Sequence, residues 1–325
     1  MNSPSIYGSS VRPRRPGLTL IEITIVVIVI GVLAAILLPA IGSVRESGRR
    51  TTCMNQMRQL GLGLQNYETR HGRFPPAKTT SSHEKYGRHN ALMFILPYLE
   101  LDYISDKIDL TKNWNEGANE DIAKQHVYLF LCPSAPYRDP ADDHDATDYT
   151  VAYKIDEGLL YNDLKGIGYG VDLAAIEDED ERDAIEDNER AALEQGLLGV
   201  DTFNTHSQIS DGLGNTFMMV ERAGLPYKYQ DGKHVGSYTS RMRWAPYTTP
   251  FSITDMYYNP TEGGGMETGW KIMNRKNSQE IYSFHPGGAV FLYGDGAAKF
   301  ESESMSPVTF ANLFTRDGGE VEFRD

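Results

Sequence analysis

The stretch Arg14-Arg15-Pro16-Gly17-Leu18-Thr19-Leu20-Ile21-Glu22-Ile23-Thr24-Ile25-Val26-Val27-Ile28-Val29-Ile30 decides how this chain is read, and it continues apolar to Ile41. Between Leu18 and Ile41 the only charge is Glu22. A helix rising about 1.5 Å per residue covers about 36 Å over that distance, enough to cross a hydrocarbon layer of about 30 Å. Residues 1–17 show no apolar periodicity and carry Arg12, Arg14 and Arg15, which is the composition of a leader rather than of a folded element. Residues 1–17 are therefore expected to be a leader peptide and residues 18–41 a transmembrane helix.

Past Ile41 the pattern changes. Cys53, Met57, Leu60, Leu64 and Tyr67 recur at steps of four and three, with Arg49, Arg50, Gln56, Arg58 and Gln59 between them. That spacing makes residues 42–72 an amphipathic continuation of the same helix, with one stripe facing a core. Gly72 and Pro75-Pro76 should end it, and Pro39 should kink or locally unwind it, because proline lacks the amide donor and crowds the preceding turn.

Residues 73–325 are expected to form a globular domain. Its segments are short and aromatic-rich, punctuated by Gly, Pro, Asn and Asp, the texture of an antiparallel sheet with long loops. Candidate strands are Val127 to Leu131, Thr216 to Val220, Ala289 to Tyr293 and Ala298 to Phe300, and Ala91 to Leu101 reads as a second, shorter helix. The expected fold class is α+β: a long N-terminal transmembrane and amphipathic helix packed on an antiparallel β-sheet domain. Between Asp172 and Glu194 eleven acidic residues face only Arg182 and Arg190, so residues 140–195 read as an acidic insertion. With a formal net charge of −14 and no basic stripe, the chain lacks the clustered Lys and Arg that hold a phosphate backbone, and nucleic acid is not an expected partner.

Glu22 separates this segment from an ordinary signal peptide or signal anchor. A carboxylate inside an apolar run costs a few kcal/mol at a bilayer centre and less near an interface, so it needs a partner. Cleavage between Gly17 and Leu18 would create one, the cationic amine of Leu18.

At this point the segment resembles the class III signal of type IV pilins and type II secretion pseudopilins. The resemblance implies that a prepilin peptidase cuts after Gly17, that Leu18 becomes the first mature residue with a methylated amine, and that Glu22 neutralises the amine of a neighbouring subunit during assembly. One departure is Leu18, where pilins most often carry Phe. Gly31 and Pro39 fall where pilin helices commonly have glycine and proline. Arginines flank the apolar run on both sides, so the orientation also comes from the resemblance: leader inside, domain outside the cytoplasmic membrane, single-pass, or carried on a cell-surface filament.

The remainder is similar to the large bacterial prepilin-type family with a C-terminal domain of unknown function. The matching segments are Cys53-Met54-Asn55-Gln56-Met57-Arg58-Gln59-Leu60-Gly61, Phe74-Pro75-Pro76, Leu96-Pro97-Tyr98-Leu99-Glu100, Phe130-Leu131-Cys132-Pro133-Ser134 and Ile209-Ser210-Asp211-Gly212-Leu213-Gly214-Asn215-Thr216. Its end motif, His then nine residues then Asp-Gly, is met by His285, Asp295 and Gly296. The role of that motif is unknown. Physically it is two glycine turns bracketing a strand, in which His285 can hydrogen-bond across the hairpin or ligate a metal.

Two cysteines are too few for a disulfide framework and have no zinc-finger spacing. Cys53 and Cys132 either form one bridge, as an extracytoplasmic domain would favour, or are separately buried thiols. Asp142, Asp143 and Asp145 lie in an oxygen-rich loop that could hold calcium, although it lacks the glycine and terminal glutamate of an EF-hand. No other cofactor is expected. Gly61-Leu62-Gly63-Leu64 sits on the long helix without a phosphate-binding context, and no Gly-x-Ser-x-Gly, His-Glu-x-x-His or Walker-type loop is present, so the chain is expected not to be an enzyme. Two functions remain: a prepilin-like structural subunit whose partners are the peptidase, membrane lipid and other pilin-like subunits, or a membrane-tethered binder of a solute or polysaccharide.

Overall fold

The computed structural model describes residues 19–136, 146–155, 195–237, 243–253, 257–258, 270–278 and 280–316. Gly17, Leu18, the calcium candidates Asp142, Asp143 and Asp145, and the acidic run Asp172 to Glu194 lie outside the described residues. The chain divides into two units, Met1–Ser47 and Gly48–Asp325.

Helix α1 spans Leu20–His71. Its helical assignment runs through Pro39, so the local unwinding expected there does not occur. In the first unit its large apolar side chains are all exposed, from 46% at Ile41 to 85% at Leu20. Among the described residues α1 alone is long and apolar enough to cross a membrane. An apolar surface on every side of a helix has no internal core to face.

Among its described residues the second unit holds four more helices: α2 Ala91–Ile95, α3 Asp102–Ser105, α4 Ala118–Ala123 and α5 Pro307–Phe314. Its strands are β1 Tyr149–Thr150, β2 Ala152–Ile155, β3 Phe217–Glu221, β4 Tyr227–Gln230 and β5 Lys233–Ser237. They are followed by β6 Phe251–Ile253, β7 Tyr257–Tyr258, β8 Trp270–Lys271, β9 Gly288–Tyr293 and β10 Ala298–Ser302. The principal sheet has the order β1-β3-β9-β10, with every neighbouring pair antiparallel. Among the described residues there are also three two-stranded sheets, β2-β6, β4-β5 and β7-β8.

The two central strands β3 and β9 are buried along their whole length. A strand points alternate side chains to opposite faces, so full burial requires a cover on both sides. Val290 and Leu292 join the core with Cys53, Met57, Leu60 and Leu64 of α1. Ala289, Phe291 and Tyr293 join the other core with Phe310 and Phe314 of α5. Phe217 lies 5.0 Å from Phe291 and 5.4 Å from Phe310, ring centre to ring centre, within the range of favourable aromatic pairs. The layers are thus helix, sheet, helix. The stripe expected on α1 is buried as spaced: Cys53, Met57, Leu60 and Leu64 are fully inaccessible and Tyr67 nearly so.

Gly61 explains the tightness of that packing. A Cβ built there would stand 2.8 Å from Leu292 Cδ1 and 3.1 Å from the Gly296 Cα, so glycine lets the helix sit directly on the β9–β10 turn.

Two expected elements differ. Val127 to Leu131 is not a strand; Tyr128–Phe130 is a 3-10 turn. Its ends are tied by a neighbouring loop instead of a ladder, with the Asp148 amide donating to the Phe130 carbonyl (2.8 Å) and the Cys132 amide donating to the Asp148 carboxylate (2.8 Å). The helix expected from Ala91 to Leu101 stops at Ile95 and tightens into a 3-10 turn over Leu96–Tyr98, where Pro97 brings no amide donor.

Candidate functional site

At the start of α1, Thr19-Leu20-Ile21-Glu22 forms a reciprocal cap. The Glu22 Oε2 accepts from the Thr19 amide and from the Thr19 hydroxyl, both at 2.8 Å, and the Glu22 amide donates to Thr19 Oγ1 at 3.4 Å. A Thr-x-x-Glu box satisfies two amides that a helix start leaves without partners. The carboxylate expected to serve assembly therefore has a local task as well, and the Thr-x-x-Glu spacing of three that signals it is readable in the sequence.

The second constellation lies inside the domain, where α1, the Cys132 loop, β3 and the β9 approach meet. Cys53 and Cys132 form a disulfide with Cα atoms 5.4 Å apart, closing a loop of 79 residues. Against it stands His285, whose Nε2 is 3.5 Å from Cys132 Sγ and 3.8 Å from Glu221 Oε1. The side chains of His285 and Glu221 are both completely inaccessible. Glu221 Oε2 accepts from the Val290 amide at 3.2 Å, and the His285 amide donates to Ser283 Oγ at 3.0 Å. Ligand atoms of Cys53, Cys132, Glu221 and His285 all lie within 4.8 Å of one another.

Asp148 braces this cluster from the side. One carboxylate oxygen accepts from the Cys132 amide at 2.8 Å and the other from the Gly224 amide at 2.9 Å. Next to it, Tyr149 donates its hydroxyl to Gln56 Oε1 at 2.8 Å, and Gln56 Nε2 donates to the Tyr128 carbonyl at 3.0 Å. Burial pushes the Tyr149 phenol well above its ordinary range, and the Glu221 and Asp148 carboxylates add to that. Tyr149 is therefore a hydrogen-bond donor and not a proton source.

Asp295 and Gly296 sit at the opposite end of β9 from His285. Gly296 has φ +84°, and the Asp295 Oδ1 accepts from the Ala297 amide at 2.8 Å, which closes the turn. The Asp295 amide donates to the Leu213 carbonyl at 3.0 Å, and Gln65 of α1 donates to the Gly294 carbonyl. The structure does not bring His285 together with Asp295. The motif's His285 end stands against the disulfide that ties α1 to the Cys132 loop, and its Asp295-Gly296 end packs on α1 through Gly61 and Gln65.

Sequence reasoning missed Glu221, Tyr149 and Gln56, and placed Asp148 in the oxygen-rich loop that could hold calcium, where the structure instead directs its carboxylate to the Cys132 and Gly224 amides. Glu221 had a signal, a lone acidic residue closing the apolar run Phe217-Met218-Met219-Val220.

The fold and this clasp define a helix-borne α+β domain of the kind that a long apolar N-terminal helix carries. Residues 42–307 match the family described as protein of unknown function DUF1559. The match covers most of the chain, which therefore belongs to that family, one found in prepilin-like bacterial proteins. No curated protein and no solved structure matches the chain.

Proposed function

We propose that the chain is a prepilin-like structural subunit: cut after Gly17 by a prepilin peptidase, anchored by residues 18–41 in the cytoplasmic membrane, and able to join a type IV pilus-like or type II secretion-like filament through its apolar helix. One observation carries this reading. A single helix, α1, is apolar all round and exposed over its first unit, carries one carboxylate at its very start, and then supplies the buried stripe of the domain. An ordinary anchor needs the apolar run alone; Glu22 caps the helix through Thr19, and the prepilin reading gives the same carboxylate a second role in assembly. In this reading the domain performs no catalysis and binds no nucleic acid.

The test is on the membrane-bound protein. Intact-mass or N-terminal analysis should find the chain starting at Leu18; an uncleaved chain, or one starting after Ala40, overturns the reading. Glu22→Val should leave membrane insertion intact and abolish filament incorporation. Incorporation at the normal level would point instead to a tethered binder.

A further inference from the structure

The disulfide is walled by an imidazole and a carboxylate, and a disulfide requires neither. Burying such a pair is rarely more stabilising than apolar side chains of similar volume. Their donor atoms instead complete a set, since two sulfurs, one imidazole nitrogen and one carboxylate oxygen are the ligand types of a tetrahedral zinc-class site. With metal bonds of about 2.3 Å to sulfur and about 2.0 Å to nitrogen, a tetrahedron places nitrogen and sulfur about 3.5 Å apart. His285 Nε2 is 3.5 Å from Cys132 Sγ, and 3.8 Å from Glu221 Oε1. All four ligand atoms lie within 4.8 Å of one another, and all four residues are buried. They come from four separate places in the chain, so the fold and not local sequence assembles them. Outer contacts hold the donors: the Val290 amide fixes Glu221, the Ser283 hydroxyl fixes the His285 backbone, and the Asp148 carboxylate fixes the Cys132 backbone.

We propose that, in the reduced chain, Cys53, Cys132, Glu221 and His285 form a tetrahedral site for a thiophilic divalent cation of the zinc class, and that the disulfide and the metal are alternative closures of the same clasp.

The chemistry balances. A phosphine and water convert the S–S bond into two thiols, the phosphine leaving as its oxide. A divalent cation then binds both sulfurs as thiolates and releases two protons. In the opposite direction, a small-molecule disulfide takes two electrons and two protons to become two thiols, while the protein sulfurs bond to each other and the cation leaves.

The full chain in detergent micelles tests this. Reduced with a phosphine, desalted without oxygen and titrated with Co²⁺, it should take up one ion per chain and show the intense visible bands of tetrahedral, thiolate-bound cobalt. Zn²⁺ should bleach those bands and should slow alkylation of Cys53 and Cys132. The oxidised chain should show neither effect. Glu221→Gln and His285→Ala should weaken Co²⁺ binding by about tenfold or more. The proposal fails if the reduced chain gives only the weak spectrum of octahedral cobalt, if reduced and oxidised chains bind Co²⁺ alike, or if Cys132→Ser binds it unchanged. It also fails if the reduced chain has lost its circular-dichroism signature and Co²⁺ does not restore it. The alkylation measurement needs no variant, so a His285→Ala chain that does not fold leaves the outcome decided.

Discussion

The first unit's part of α1 and the part from Gly48 to His71 are both helical and both rich in apolar residues, yet they meet opposite fates. In the first, every large apolar side chain from Leu20 to Val44 is exposed. In the second, the stripe from Cys53 to Tyr67 is buried against β9, while Leu62, off the stripe, remains exposed. The difference lies in periodicity. An apolar residue at every position of the turn gives a helix no inside, so its stabilising surroundings must be apolar in every direction. A stripe of one residue per turn directs the helix to a single surface, and the polar residues between are free to bond the domain, as Gln56 does with Tyr149 and Tyr128.

Substitutions can break this contrast. The largest effect is expected from the staple: Cys53→Ser with Cys132→Ser should lower the unfolding free energy of the domain by about 4 kcal/mol in the loop-entropy account, read from the denaturant midpoint. Gly61→Val comes next. Its added carbons would run into Leu292 and the Gly296 backbone, and about 1–3 kcal/mol should be lost to overpacking. Asp148→Asn replaces a carboxylate oxygen facing an amide donor with a second donor, and a loss of about 1–3 kcal/mol is expected.

A smaller effect should appear with pH. Burial holds the His89 imidazole below its ordinary value of 6.5, so the folded chain binds fewer protons there than the unfolded one. Stability then rises with pH and is fully present above 6.5; it falls as the pH drops from there towards the lower folded value. His89→Gln should flatten that slope in denaturation curves taken across the window. The smallest effect belongs to the first unit. Val27→Ala should leave the domain's unfolding free energy within about 0.5 kcal/mol of the parent, since Val27 is exposed and belongs to neither core cluster. A large shift there would dissolve the distinction between the two stretches.

Much of this architecture is legible from spacing. The stripe on α1 announces itself by its fours and threes, and β3, β9 and β10 by short apolar runs between turn residues. One apolar run misleads. Val127 to Leu131 looks like a strand, but the Phe130 and Leu131 amides turn back to the Val127 and Tyr128 carbonyls, and the Phe130 carbonyl accepts from the Asp148 amide. Gly61 reads in the sequence only as a residue of the long helix without a phosphate-binding context, and the tertiary approach of Gly296 gives it a purpose. The cysteine pair can be guessed from its even number. The convergence of Glu221 and His285 on it cannot, because those residues are brought together by the β3–β9 pairing, which places Val220 opposite Phe291.

The two fastenings of α1 have a mechanical meaning. Cys53 and Gly61 are eight residues apart, or about 12 Å along the helix axis. A rod pinned at one point can still swivel, but one pinned at two cannot. Tension applied along α1 would therefore load the sulfur bridge to the Cys132 loop and the packing on the β9–β10 turn together, in shear.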